Sequence, residues 1–377
     1  MRSLNIFSIS LLFFFFWVLM EGALRKWFLP GLASPIFFVK YIIGIILWLI
    51  IIIGRFRISK NAYPFAGFYF FYVFYGLVEI FNFSVTRSPL LGIIGCAVHF
   101  GFSALFFAIP NALGNQEQLQ KVIRSLNYIF IPIFLLGIVQ YFSPPGDWIN
   151  KYVSDDMSVA VAGGNVRITT LFSYIAPYSV LLNYILLFFI FQILLIRKLN
   201  IHSLVLMTAF GLGIINAFMT GARSLVFMAA IQFSIILLVY AFKSDFKTFK
   251  RIFINIFIFA SIGIFVILQS EEGASAYESF SGRTKRVNDI EHRVLDALNP
   301  FKFAEQAGIF GFGIGSAYQG AGRFMTERWR MPGFFEEESE RLLLEFGMVG
   351  FFIIAMFRFS VMMYAIKTFL NTKDQFL

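Results

Sequence analysis

Long apolar runs separated by short polar segments dominate the chain. A bilayer core about 30 Å thick requires roughly 20 apolar residues per helix, and only helices and closed barrels satisfy their own backbone hydrogen bonds in lipid. The runs lack the short alternating segments of barrel strands. The pattern therefore predicts an all-α fold, a polytopic transmembrane helical bundle of about ten spans. The predicted spans are approximately Leu4–Met20, Pro35–Ile53, Pro64–Phe83, Leu90–Ile109, Leu126–Phe142, Phe172–Ile196, Ser203–Thr220, Ser224–Phe242, Ile252–Gln269 and Leu342–Ile366.

The composition places the chain outside the soluble class. Of the 377 residues, 59% are hydrophobic and 14% are charged, and the mean hydropathy is +0.77. Such a chain is an integral membrane protein, and we expect no nucleic-acid partner. The single cysteine, Cys96, lies in an apolar run, so a disulfide framework and a thiolate metal site are excluded. We expect no cofactor. The first apolar run lacks a small-residue cleavage pattern, which predicts an uncleaved signal anchor.

Basic residues indicate the orientation. Lys and Arg near span ends resist translocation, and with an internal N-terminus they outnumber the acids in the inner segments. An even span count then places both termini in the cytoplasm. We expect residues 1–377 to form a single integral membrane domain, within which residues 270–340 form one long extracytoplasmic loop before the last span.

Arginines are the unusual feature of the predicted outer face. Arg87, Arg167, Arg223 and Arg293 all lie there, near the ends of helices that could surround one cavity. The guanidinium fork binds phosphate oxygens in pairs and stays charged when partly desolvated. The pattern therefore favours a lipid-linked diphosphate as substrate. The alternative is that cationic side chains at helix ends simply reach the lipid headgroups, and this alternative also applies to the segment EGALRKWFLP at 21–30.

Two further features have structural interpretations. The sequence GFGIG at 311–315 lacks the preceding strand and following helix of a nucleotide fingerprint, so it predicts a close backbone approach in a re-entrant turn. His99, inside the fourth predicted span, is expected to pack or to form an interhelical hydrogen bond rather than to relay protons.

Several segments together resemble the superfamily of O-antigen ligases and O-antigen polymerases. The resemblance runs from Glu21 to about Phe352, and its motifs are moderately specific in order and spacing. The similar segments are EGALRKWFLP at 21–30, GNVRITTLFSYIAPYS at 164–179, TGARS at 220–224, HRVLDALNPF…GIFGFGIGSAY at 292–318 and ESERLLLEFGMVGFF at 338–352.

The resemblance implies a membrane glycosyltransferase of the bacterial cytoplasmic (inner) membrane. Such an enzyme moves glycan from an undecaprenyl-diphosphate-linked donor to a glycan or lipid acceptor on the outer face, among membrane lipids and without a metal. It implies that Arg167, Arg223 and Arg293 contact the diphosphate, and Arg87 is a further candidate. Whether the reaction is ligation or polymerisation stays open.

One departure concerns the base that takes the acceptor's proton. Many members carry a histidine ahead of the Glu-x-Gly motif, which is Glu345–Gly347 here, but this chain has GFFEEESER. Glu336, Glu338 or Glu340 is then the predicted base, because a buried carboxylate with a raised pKa can serve. The alternative is that these acids favour the positive end of the following helix.

Two other functions remain as alternatives. A membrane acyltransferase would use an inner-face acyl donor and a buried histidine, for which His99 is the candidate. A polysaccharide or lipid transporter would show broken helices and ionisable groups near the middle of the membrane. Arg358, at mid-span depth in the last run, is predicted either to pair within the bundle or to mark a shorter span.

Overall fold

Helices account for most of the chain wherever the structure describes it, which confirms the predicted all-α class. The structure is a computed structural model, and it describes residues 6–53, 63–103, 116–153, 161–162, 165–194, 200–243, 301–318, 321–332 and 338–371, with a few single positions outside these ranges. The chain divides into two compact units. Met1–Phe14, Phe38–Ala112 and Asn288–Leu377 form the first unit, and Phe15–Phe37 with Leu113–Val287 form the second.

The helices follow the predicted apolar runs closely. They are α1 (Ile6–Ala23), α2 (Ala33–Ile53), α3 (Tyr63–Val78), α4 (Leu90–Phe100), α5 (Gln116–Phe142), α6 (Ile175–Leu194), α7 (Ile201–Met219), α8 (Arg223–Lys243), the single turn α9 (Ala304–Ala307) and α10 (Glu338–Asn371). The sequence did not predict the antiparallel pair of strands β1 (Val161–Ala162) and β2 (Asn165–Val166). The predicted span at 252–269 lies almost entirely outside the described residues.

Within the described ranges, five helical segments are long and apolar enough to cross a membrane: Pro30–Ile50, Gln120–Phe142, Ile175–Ile193, Ile201–Met219 and Glu338–Lys367. Two shorter apolar helices are Phe65–Phe81 and Leu90–Phe100, and α4 therefore ends before the predicted limit at Ile109. Many large apolar side chains on these helices are exposed, as lipid-facing residues are. The fold is that of a helical membrane protein, and the count of ten spans stays a prediction.

Buried polar residues join the helices of the second unit. Here α5 packs on α7, and α6 packs on both α7 and α8. The side chain of Asn216 on α7 donates to the backbone oxygen of Phe134 on α5 (3.0 Å) and accepts from the Tyr178 hydroxyl on α6 (2.7 Å). Polar side chains hold membrane helices together in this way, because lipid offers them no other partner. A Cβ atom at Gly137 would lie 2.0 Å from the Asn216 amide oxygen, so a glycine is required there.

Helix α10 of the first unit is broken at Gly347, which corrects the prediction of one continuous last span. Gly347 has φ 63° and ψ −170°, a conformation open almost only to glycine. The guanidinium of Arg358 nevertheless binds the carboxylate of Glu338 through two contacts, of 2.7 and 3.3 Å. Twenty residues of straight helix would separate them by about 30 Å. The short first half, Glu338 to Phe346, therefore folds back beside the longer second half. Arg358 does pair with an acid of the same helix, but this ion pair is exposed.

The glycine-rich segment that contains Gly311 packs against this break in α10. Gly311 and Gly347 come so close that a Cβ on Gly311 would lie 2.4 Å from the Gly347 nitrogen. The predicted close backbone approach is thus confirmed, and it supplies partners for the backbone groups that the break leaves without helical ones. Four backbone hydrogen bonds make the connection: Phe312 N to Leu344 O, Gly313 N to Glu345 O, Met348 N to Gly308 O and Val349 N to Ile309 O.

Candidate functional site

The segment EGALRKW is packed inside the second unit. Past Ala23, α1 continues as a π-helical turn, Leu24–Phe28, and the Lys26 side chain on that turn is only 2% exposed. The Lys26 amine donates to the Thr169 hydroxyl (3.0 Å) and to the Thr170 backbone oxygen (2.6 Å). Burial lowers the pKa of Lys26 from 10.5 to about 7, because desolvation disfavours the ammonium form. The interpretation of Lys26 as a headgroup anchor is therefore wrong.

Arg25 makes a second set of contacts to the same part of the chain. Its guanidinium donates to the carboxylate of Glu21 and to the hydroxyl of Ser173, both at 3.0 Å. It also lies 5.0 Å from the centre of the Phe37 ring. The Arg25 and Glu21 side chains are 10% and 7% exposed, so this ion pair is largely desolvated. The charges of the opening motif thus pack against the segment that begins at Arg167.

Most of the segment 167–173 is buried, and the segment has no regular secondary structure. Thr170 is fully buried and has φ 48°, which is uncommon for a residue with a β-branched side chain. The Gln140 amide oxygen accepts from the backbone nitrogens of Thr169 (3.2 Å) and Thr170 (2.7 Å). A Cβ on Gly22 would lie 2.2 Å from the Leu171 backbone oxygen, so α1 approaches this segment closely. Neighbouring elements thus hold the segment in one conformation.

Arg167 connects this segment to the TGAR turn. Its Nε atom donates to the backbone oxygen of Thr220 (3.1 Å), and its own backbone oxygen accepts from the Tyr152 hydroxyl (2.7 Å). The Ile168 nitrogen donates to the Met219 backbone oxygen (3.4 Å). Since α8 begins at Arg223, the motifs GNVRITT and TGARS lie side by side. These contacts bring two of the four predicted arginine segments together.

The structure describes one of the other two predicted arginines. Arg87 is an exposed residue of the first unit, in the segment that precedes α4. Arg293 lies outside the described residues, as does the histidine beside it. A shared diphosphate site for all four arginines therefore stays a prediction.

Two of the three predicted bases, Glu338 and Glu340, lie in the first turn of α10. Glu338, in the first turn, pairs with Arg358, and both side chains are more than half exposed. Glu340 is buried, with a side chain 4% exposed, and its carboxylate lies 3.7 Å from the Lys302 amine. Position 336 lies outside the described residues. Acids in the first turn also stabilise the positive N-terminal end of a helix. The alternative, that these acids support the helix and are not the base, therefore still applies.

A cluster of ionisable groups that sequence reasoning missed lies at the break in α10. The Glu345 carboxylate accepts from the Ala317 backbone nitrogen (3.0 Å) and contacts His99 Nε2 (2.6 Å). His99 Nδ1 lies 3.0 Å from the Tyr72 hydroxyl, so the predicted interhelical hydrogen bond of His99 is confirmed. The available signal was a lone histidine in one span and an acid two residues before a glycine in another.

The described residues contain no group of three or more His, Cys, Asp or Glu side chains arranged to hold a metal ion. Comparison with protein-family models, with curated proteins and with solved structures finds no significant match. The resemblance to the O-antigen ligases and polymerases therefore depends on the motifs alone. The class that the fold itself defines is a polytopic helical membrane protein. Among the described residues, buried polar groups cluster at the 167–173 segment and at the break in α10.

Proposed function

We propose that the protein is a membrane glycosyltransferase that transfers or polymerises glycan from an undecaprenyl-diphosphate-linked donor on the outer face of the cytoplasmic membrane. The observation that carries the proposal is the hydrogen bond between Arg167 and the Thr220 backbone, which joins two arginine-bearing motifs more than fifty residues apart. The two motifs lie in one compact unit.

The chemistry is a displacement at the anomeric carbon of the donor sugar. The acceptor oxygen forms the new bond to this carbon while the bond from carbon to phosphate oxygen breaks. The electron pair of the broken bond leaves with the polyprenyl diphosphate, whose growing negative charge Arg167 and Arg223 would stabilise. The proton of the acceptor hydroxyl passes to a carboxylate base. The resemblance implies Arg293 as a further diphosphate contact, and Arg87 is an additional candidate.

Three acids are available for the base, and the structure distinguishes two of them. Glu340 is buried beside Lys302, an environment in which a carboxylate is held in place. Glu338 is engaged by Arg358 through both oxygens. Glu336 completes the set that the sequence offers. Glu340 is thus better suited to act as base, and Glu338 to hold the fold of α10.

The proposal is tested with purified protein and a polyprenyl-diphosphate oligosaccharide, by measuring glycan transfer to an acceptor. Arg167→Ala, Arg223→Ala and Arg293→Ala should each lower kcat/KM at least tenfold, roughly 1.4 kcal/mol of transition-state stabilisation. Arg124→Ala is the matched control, because this exposed arginine near the start of α5 is on the predicted inner face. Unchanged rates in all three outer-face variants would contradict the diphosphate site.

A second candidate function, transport of a lipid-linked glycan, is favoured by the break in α10. Broken helices and ionisable groups inside a bundle are features of transporters, and here the break lies beside Glu345 and His99. Proteoliposomes separate the two functions. A transporter moves the labelled lipid between leaflets without releasing polyprenyl diphosphate, whereas a glycosyltransferase releases it. Consumption of acyl-CoA would instead indicate the acyltransferase alternative.

A further inference from the structure

Arg167 is held through the residues that follow it along the chain. The next three, Ile168, Thr169 and Thr170, are at most 2% exposed and belong to no helix or strand. Thr170 has φ 48°, and a strained conformation of this kind persists only where the surroundings impose it. The position of the Arg167 guanidinium therefore depends on whatever fixes this buried segment.

Two side chains from different elements, Lys26 and Gln140, fix the conformation of this segment. The Lys26 amine binds the Thr169 hydroxyl at 3.0 Å and the Thr170 backbone oxygen at 2.6 Å. The Gln140 amide accepts from both backbone nitrogens and donates to the same Thr170 oxygen at 3.3 Å. Thr169 and Thr170 thus have both backbone nitrogens and one backbone oxygen bound by side chains. Lys26 also lies 4.5 Å from the centre of the Trp27 ring, which confines its long side chain.

We propose that Lys26 is a positioning residue, which orients Arg167 toward the Thr220–Arg223 turn by holding Thr169 and Thr170 in their strained conformation. This inference rests on the proposed function, because it assumes that Arg167 binds the diphosphate of the donor. It assigns a role to the opening motif EGALRKW that neither membrane anchoring nor direct substrate contact supplies.

The chemistry of a buried amine favours this role. Removing an ammonium group from water is costly, and an apolar side chain would fill the same space without that cost. An amine offers at least two N–H donors in either protonation state, and the two acceptors on Thr169 and Thr170 match them. The contribution of the Lys26 amine is therefore to hold Thr169 and Thr170, which carry its two acceptors, in one conformation.

The test is a double-mutant cycle in the full-length protein. Lys26→Met keeps most of the side-chain volume and removes both hydrogen bonds, and it should lower kcat/KM for glycan transfer at least tenfold. In the Arg167→Ala background the same change should cost less than about twofold, because Lys26 acts through Arg167. Equal losses in the two backgrounds, or a transfer rate for Lys26→Met that matches wild type, would overturn the inference.

A matched control separates positioning from general destabilisation. Asn127→Leu removes a buried polar pair with Gln192 (2.8 Å) between α5 and α6 in the same unit, without touching the 167–173 segment. Its transfer rate per folded molecule should stay within about twofold of wild type. Gln140→Leu, which removes the other support of Thr169 and Thr170, should reproduce the loss of activity seen for Lys26→Met.

Hydrogen exchange tests the positioning without any enzyme assay. Lys26→Met should increase exchange at the amides of Thr169 and Thr170, and Asn127→Leu should not. If exchange increases in Lys26→Met while wild type neither binds nor transfers a polyprenyl-diphosphate glycan, the proposed function fails. The conclusion that Lys26 holds Thr169 and Thr170 in place is then retained. If wild type is active and Lys26→Met changes neither exchange nor rate, the positioning inference fails and the proposed function stands.

Discussion

Lys26 illustrates how a basic residue of an apolar protein can be part of the packed interior. Its amine has protein partners at 2.6 and 3.0 Å, and almost none of the side chain reaches the surface. Arg25, on the same turn, and Glu21, near the end of α1, form a neighbouring ion pair. The burial of Lys26 thus makes the stability of the second unit depend on pH.

The sign of this dependence follows from the lowered pKa. Between the folded value of about 7 and the unfolded value of 10.5, the unfolded chain binds a proton at Lys26 that the folded chain does not. The free energy of unfolding should therefore rise as pH increases through this window, and the cost of burial is fully present below about pH 7. Thermal unfolding in detergent at about pH 7 and about pH 9.5 measures it. Wild type should gain stability relative to Lys26→Met on going to the higher pH, and parallel shifts would contradict the assignment.

Glu340→Gln and Glu338→Gln, which neutralise the two acids at the start of α10, are expected to have different effects on activity and stability. Glu340→Gln removes a buried carboxylate, so it should lower glycan transfer at least tenfold and change its pH profile if Glu340 is the base. Glu338→Gln leaves Arg358 without its charged partner, so it should lower thermal stability and leave the pH profile unchanged. Identical pH profiles for wild type and Glu340→Gln would assign both acids to the support of the helix.

Among the helices, α10 departs most from a simple membrane span. Its break at Gly347 returns the short first half along the second, and the glycine-rich segment supplies partners for the backbone groups at the break. Leu343, Leu344 and Phe346 of the first half are fully buried, so this half belongs to the core of the first unit. Non-helical backbone is tolerated at membrane depth where it is enclosed by protein in this way.

Gly347→Ala should destabilise the first unit more than Gly308→Ala does. Both glycines have nearly the same backbone conformation, φ 63° and ψ −170° against φ 62° and ψ −154°, so both changes carry a strain of about 1–3 kcal/mol. Only at Gly347 would the new Cβ also lie 2.3 Å from a backbone oxygen, that of Ile309, whereas nothing lies within 4 Å at Gly308. Thermal unfolding of the two variants measures the difference. Equal losses would show that the close approach at Gly347 can relax.

The predicted topology concerns the molecule as a whole. With the N-terminus inside, the start of α5 faces the cytoplasm and the loop that follows α5 faces outward. In a Cys96→Ser background, Gly146→Cys should react with a membrane-impermeant maleimide in intact spheroplasts, and Ser125→Cys should react only after permeabilisation. Both positions are exposed, so accessibility within the protein does not decide the result. The reverse labelling pattern would invert the topology and put the Arg167 segment on the cytoplasmic side.

The helical runs could be predicted because the requirement for continuous apolar length is local. Among the described residues, the structure has helices at nine of the ten predicted spans, with ends that shift by a few residues, as at α6 and α7. The chain reversal within α10 was not predictable, because Gly347 is a tolerated residue in a membrane helix and its backbone conformation depends on the approach of Gly311.

The contacts of individual polar residues likewise divide into those that the sequence predicts and those that it does not. His99 could be predicted to bond across helices, since a lone histidine in an apolar span has few other options. The burial of Lys26 was not evident, because cationic residues beside an aromatic at the end of a span are equally typical of a headgroup anchor. Sequence patterns report the hydrophobicity of neighbouring positions along the chain, and this sufficed for a helical membrane protein with polar residues at its span ends. Only tertiary packing decides which of those polar residues are desolvated and which distant segment they bind, because the partners of Lys26 lie more than 140 residues away.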